Sequence, residues 1–245
     1  MTVSTTHRRA SYCGLLESGV LIERVVQARE RLRRCHVCPR HCAINRLEGD
    51  LGFCLVGVTP LHQVPQILQG LLLAAQKGLR IPLVYYTSSY DDLETLRLLD
   101  GIVDIYLPDF KYADAEAGLK CSKVPCYPEI AKTAIKEMHR QTGDLVIDDC
   151  GLAVRGLLLR HLVLPGWVAG TAEIMRFLPE EISKNTYVNI VDQYWPCWKA
   201  FRYPPLNRQI TREEFEEAVE AARAAGLHRL HQERPGSAIA WITEV

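Results

Sequence analysis

The 245-residue chain has no apolar run long enough to span a bilayer core. Its longest candidate, 67–75, is interrupted by Gln69 and ends in Gln76-Lys77. The N-terminus, Met1-Thr2-Val3-Ser4-Thr5-Thr6-His7-Arg8-Arg9, has charge but no apolar stretch behind it, so a secretory signal is not expected. An excess of one charge sign is also missing: Lys plus Arg number 29, and so do Asp plus Glu. That balance gives no electrostatic reason to expect nucleic acid or a membrane as partner. No internal repeat and no low-complexity tract interrupts the chain. A cytoplasmic protein is predicted, in which thiols stay reduced. Its nine cysteines then point to metal or catalysis before disulfides.

Hydrophobic residues at 48% and charged residues at 24% are those of an ordinary globular chain. Residues 1–17 are polar and are predicted to form a disordered tail. Residues 18–33 read as a helix, because Leu21, Val25, Ala28 and Leu32 recur on one face. Residues 35–54 hold four cysteines with Pro39, Gly49 and Gly52 and read as a loop-rich knot. From residue 55 onward, short apolar runs alternate with helical patterns. Strands are predicted at 81–86, 102–107, 157–164 and 187–191, and helices at about 63–77, 91–99, 128–141 and 171–182. The helix at 212–225 has the clearest ends, with a Thr211/Glu214 capping box and Gly226 after it. Segment 145–155 reads as an inserted hairpin. Strand–helix alternation implies an α/β fold with a parallel sheet buried on both faces. The segments expected are the tail, a helix and cysteine knot over 18–54, an α/β core over 55–231 and an atypical tail over 232–245.

Cys35, Cys38, Cys42 and Cys54 are spaced C-x2-C-x3-C-x11-C. A C-x2-C turn places two sulfurs together, and a later pair can complete a tetrahedron around one ion. The tight spacing also suits iron–sulfur ligation, and Arg33, Arg34 and Arg40 favour the thiolate form. Zinc and an iron–sulfur cluster both remain open. So does the plainer reading of four reduced structural cysteines beside arginines that cap a helix. The other five cysteines (Cys13, Cys121, Cys126, Cys150 and Cys197) read as ordinary core or surface residues.

Polar residues stand where the predicted strands end, which is where parallel α/β barrels place reacting groups. They are Thr59 and His62, Thr87 and Ser88, Asp109 and Lys111, Arg160 and His161, then Asn189 and Gln193. Such a ring can hold a small zwitterion, Lys111 meeting its carboxylate and Asp109 its amine. The plainer alternative is that polar residues follow strands because loops do.

Together, Cys35-His36-Val37-Cys38-Pro39-Arg40-His41-Cys42, Gly49-Asp50-Leu51-Gly52-Phe53-Cys54, Val58-Thr59-Pro60-Leu61-His62, Tyr86-Thr87-Ser88-Ser89-Tyr90, Leu107-Pro108-Asp109-Phe110-Lys111-Tyr112, 160–166 and 187–190 resemble one family. It is that of radical S-adenosylmethionine (SAM) proteins related to pyruvate formate-lyase activating enzyme, and the likeness covers about 18–231. The resemblance implies a (β/α) partial barrel with SAM across the strand ends near Thr87, Asp109, Lys111, His161 and Asn189. It also implies a 4Fe–4S cluster on C-x3-C-x2-C, splitting of SAM to a 5′-deoxyadenosyl radical, and hydrogen abstraction from a glycine of a protein partner.

The chain departs from that pattern at its centre. No C-x3-C-x2-C exists in it, and the knot runs x2 then x3. Where the cluster loop should stand, only Leu55-Val56-Gly57-Val58 joins Cys54 to Thr59. Tyr86 and Ser89 stand where Asn and Gly are expected, which matters at 89 if φ there is positive. The fold expected is an incomplete barrel with an unpaired strand edge. The expected function is that of a family member that binds iron–sulfur or metal, and SAM by family implication, without cleaving SAM. The alternatives are a non-catalytic zinc-binding interaction module or the product of a damaged gene. A protein substrate or a full-length relative is the expected partner.

Overall fold

The computed structural model describes residues 9–48 and 60–232, with side chains omitted at 60–62 and 232. The knot's end at 49–54 and the 55–58 run lie outside the described residues, as does the C-terminal tail from 233. The architecture is mixed α/β with a parallel sheet. Among the described residues the helices are α1 (Tyr12–Glu17), α2 (Val20–Glu30), α3 (Pro60–Gln76), α4 (Leu93–Leu98), α5 (Ala115–Ser122), α6 (Tyr127–Thr142), α7 (Thr171–Glu181) and α8 (Arg212–Ala224). The strands are β1 (Val84–Thr87), β2 (Ile105–Pro108), β3 (Val146–Ile147), β4 (Ala153–Leu162), β5 (Tyr187–Val191) and β6 (Leu230–Gln232). No described helix is long and apolar enough to cross a membrane.

The chain divides into two compact units. The first is Met1–Pro108 with Ile130–Leu157, and the second is Asp109–Glu129 with Leu158–Val245. Strand β4 contributes its first half to one and its second half to the other. In the first unit β1 pairs with β2 in parallel, Val84 opposite Ile105, and β2 pairs with β4, Ile105 opposite Gly156. The expected hairpin is present: β3 runs antiparallel to β4, with Val146 opposite Arg155. Leu21, Leu68, Leu96, Tyr106, Ile135 and Met138 are fully buried and make this unit's core.

The predicted disordered tail is corrected over its second half, because α1 occupies Tyr12–Glu17. Nothing local marks this helix: it is six residues long and has no side-chain cap. Burial of Tyr12 and Cys13 holds it, together with Ser11, whose N–H and hydroxyl both donate to Asp104 Oδ1 at 2.9 and 2.6 Å. Asp104 Oδ2 accepts from the Leu83 N–H at 2.8 Å, which ties the entrance of β1 to the same carboxylate.

In the second unit β4, β5 and β6 form a parallel ladder, with Arg160 opposite Asn189 and Asn189 opposite His231. Helices α7 and α8 pack together, and α8 carries the expected capping box. Helix α5 was not expected. Asp114 caps it by accepting from the Ala117 N–H at 2.7 Å, and Lys123 ends it in the left-handed region.

Burial on both sheet faces is corrected for β1 and β4. In β4, Leu157, Leu159 and His161 have no exposed surface, whereas Leu158, Arg160 and Leu162 are only half-buried. Strand β1 alternates more sharply: Tyr85 and Thr87 are buried, and Val84 and Tyr86 are 57% and 44% exposed. Strand β2 keeps the expected burial, with consecutive Ile105 and Tyr106 both buried, whereas β1 and the second half of β4 have one packed and one partly open face, the alternation of a one-sided sheet.

Candidate functional site

The open face of the second unit carries an ordered row of polar side chains. Asp109 bridges to Arg160, Arg160 pairs with Asn189, and Asn189 pairs with His231. Residues paired in a parallel ladder project to the same face, so four polar groups line up across successive strands. Lys111 Nζ donates to Asp109 Oδ2 at 2.6 Å, and an Arg160 guanidinium nitrogen donates to Gln193 Oε1 at 3.2 Å. The buried Tyr127 clamps the turn that carries the first pair. Its hydroxyl donates to the Asp109 carbonyl at 3.2 Å and accepts from the Lys111 N–H at 2.9 Å. Asp109 is itself buried, and Lys111, Arg160 and Asn189 are half-buried around it; together these anionic, cationic and amide groups suit a small ligand bearing both charge signs.

His161 lies on the opposite, packed face with no exposed surface. Its Nδ1 is 2.8 Å from the Phe110 carbonyl and its Nε2 is 2.9 Å from Thr171 Oγ1. A carbonyl only accepts, so Nδ1 carries the proton and Nε2 accepts from the threonine hydroxyl. Burial pushes the imidazolium down to about 4. The resemblance implies SAM near His161; in the structure the ring lies within the packed face, a neutral internal brace for the strand that delivers Asp109 and Lys111.

Thr87 belongs to the first unit and is buried as well. Its hydroxyl donates to Asp91 Oδ2 at 2.6 Å, and the Tyr85 hydroxyl donates to Asp91 Oδ1 at 3.2 Å. Burial raises the Asp91 carboxyl to about 6, against the pull of those two hydrogen bonds. Two residues after Thr87, Ser89 has φ of 61°. The left-handed conformation that makes a glycine useful is present there, at a cost of about 1 kcal/mol for a residue with a Cβ. Asp92 closes the turn: it caps α4 through the Thr95 N–H at 2.8 Å and meets Arg31 at 2.7 Å and His41 Nε2 at 3.0 Å. The turn after β1 is thereby fastened to the cysteine-rich loop.

In that loop the Cys35 N–H donates to the Ile44 carbonyl at 2.8 Å, and the Ala43 N–H donates to the Cys35 carbonyl at 3.0 Å. Positive φ at His41 and Ala43 makes the return possible. Cys35 and Cys38 are buried and Cys42 is partly buried. Arg46 Nε–H donates to Cys35 Sγ at 3.0 Å. Cys54 lies outside the described residues. Among the described residues, no three His, Cys, Asp or Glu side chains converge as metal ligands do. The donor chemistry of the loop fits a soft metal; the three described thiols do not by themselves form its cage.

No protein-family model matches the chain. Over 168 residues it is 35% identical to a protein of Methanocaldococcus jannaschii described as uncharacterized protein MJ0674. The aligned part is 68% of this chain and 45% of that protein, so the chain spans less than half the length of this relative. Residues that the sequence did not single out are Tyr127, Thr171 and His231. The two hydroxyls have no local signature, and His231 joins the row only through strand register.

Proposed function

We propose that this chain is a binding protein of the radical SAM type that holds SAM or a close analogue without cleaving it. The observation that carries the reading is the row Asp109–Arg160–Asn189 beside the 2.6 Å Asp109–Lys111 pair. Lys111 and Arg160 suit the methionyl carboxylate, Asp109 suits the ammonium, and Asn189 offers an amide for the remaining polar edge. SAM itself supplies a sulfonium whose reductive cleavage needs an iron–sulfur cluster with an open iron, and the sequence has no C-x3-C-x2-C to hold one. Cys35, Cys38, Cys42 and Cys54 are proposed to bind zinc or an iron–sulfur centre, a reading supported by their spacing and by Arg46 against Cys35 Sγ.

Calorimetric titration with SAM tests the reading. Saturable binding is expected, weakened about tenfold or more by Asp109→Asn and by Lys111→Met, since a charge-assisted contact is worth about 1.5–3 kcal/mol. After anaerobic reconstitution and dithionite reduction, no 5′-deoxyadenosine is expected. Absent binding, or formation of that product, refutes the proposal. A zinc-binding interaction module is the second reading, favoured by the exposed Val84 and Tyr86 on β1. Stoichiometric zinc without SAM binding selects it.

A further inference from the structure

A cavity lies wholly within the second unit, built by α5, the turn after β4, the start of α7, the 203–206 segment and α8. Its volume is about 890 Å³, within the range of ligand sites, which is roughly 300–1,000 Å³. Two large aromatic side chains stand in its wall with much of their surface in water: Trp167 is 64% and Tyr203 is 48% exposed. Trp167 is not loose. Its Nε1–H donates to Glu217 Oε2 at 2.8 Å, and its backbone follows Gly166, where a Cβ would lie 2.3 Å from Pro205 Cγ. The indole is thus held in place at the cavity while its ring is left uncovered. An exposed, fixed aromatic ring in a concave site is a platform for stacking.

The charge of the lining selects what stacks there. Glu116, Glu173 and Glu217 line the cavity, Glu173 in a loose 3.6 Å exposed pair with Arg176, and Lys120 is its one lining cation among the described residues. Glu214 also borders it, but Arg208 holds both its oxygens at 2.7 and 2.8 Å, so it adds little field. These carboxylates share the lining with the aromatic wall, and Glu217 touches Trp167 itself, the combination that favours a guanidinium or ammonium over the ring face. We propose that this cavity docks a positively charged peptide segment, with an arginine or lysine side chain on Trp167 and its charge met by the surrounding glutamates. This site is separate from the Asp109–Arg160–Asn189 row and does not depend on SAM binding.

Fluorescence anisotropy with a fluorescein-labelled hexa-arginine peptide tests the assignment. Saturable binding is expected, and hexaglutamate should not compete. Trp167→Ala should weaken binding about tenfold, while Trp167→Phe should stay within about threefold, because a phenyl ring keeps the π face. The pair Glu116→Gln and Glu173→Gln should weaken it about tenfold and flatten its salt dependence. Glu180→Gln, exposed but outside the cavity, should leave it unchanged. Hexa-arginine should also slow maleimide labelling of the cavity-lining Cys121 in the unaltered protein, read by peptide mass mapping, and leave the exposed Cys150 unaffected. No saturable binding, equal weakening by Glu180→Gln, or no protection of Cys121 overturns the proposal.

Discussion

Glu214 at the start of α8 joins three pieces of the second unit through one carboxylate. Oε1 accepts from the Gly166 N–H at 2.7 Å and from Arg208 at 2.7 Å; Oε2 accepts from Arg208 and from the Thr211 N–H, each at 2.8 Å. The side chain is 6% exposed. The Arg208 guanidinium, ahead of the two backbone donors, lowers its pKa from 4.5 to about 2. At roughly 1.36 kcal/mol per pH unit that interval corresponds to about 3.4 kcal/mol. Arg208 is 44% exposed, and solvent screening brings the contribution to about 2 kcal/mol. Because the folded value is the lower one, this stability is present above about 4.5 and lost as pH falls towards about 2. Replacing Glu214 by Gln removes the charge and turns an amide NH2 towards donors. Urea unfolding followed by circular dichroism should show the variant about 2 kcal/mol less stable at neutral pH. Near pH 3 the gap should shrink to about two-fifths of that, since the carboxylate is then almost wholly protonated in the unfolded chain and still mostly ionised in the folded one. An equal gap at both pH values refutes the reasoning, because it assigns the loss to packing and not to charge.

Three further outcomes follow from buried groups. His161 should remain the neutral Nδ1–H tautomer at about pH 5.5 in histidine-resolved NMR, because its folded pKa of about 4 lies below the unfolded one. The same difference removes stability as pH falls from 6.5 to about 4; His161→Gln should flatten that part of the profile, and a ring protonating above about pH 6 contradicts the assignment. Asp91 has the opposite sign: its folded value of about 6 exceeds 3.8, so stability is lost as pH rises between them. Asp91→Asn should therefore raise stability by about 2 kcal/mol at pH 8 and leave it unchanged near pH 4, and a uniform effect would falsify this account. Gly156→Ala should cost about 3 kcal/mol or more in a thermal melt, or abolish folding. Its φ is 120°, and a Cβ would lie 2.4 Å from the Asp144 carbonyl oxygen, a backbone atom that has little freedom to move.

Elements whose signals are local were legible in the amino-acid order alone. The Thr211/Glu214 box and the apolar face behind it placed α8 to within a residue, and the run 187–191 placed β5 without error. The 145–155 hairpin was legible from its turn residues, and the mixed α/β class from strand–helix alternation. Strand ends were less so: β1 starts at Val84, not 81, because Pro82 and the bond from Leu83 N–H to Asp104 lie before the ladder. The helix α1 was illegible because its hold is distant, 93 residues away at Asp104. For the candidate site, Asp109 and Lys111 were picked out by their place after a strand, and Asn189 and His161 by their place near strand ends. Only tertiary structure decided between neighbours such as Arg160 and His161. Successive strand residues face opposite ways, and which way is inward depends on pairing with other strands, a long-range choice that no short stretch of sequence encodes.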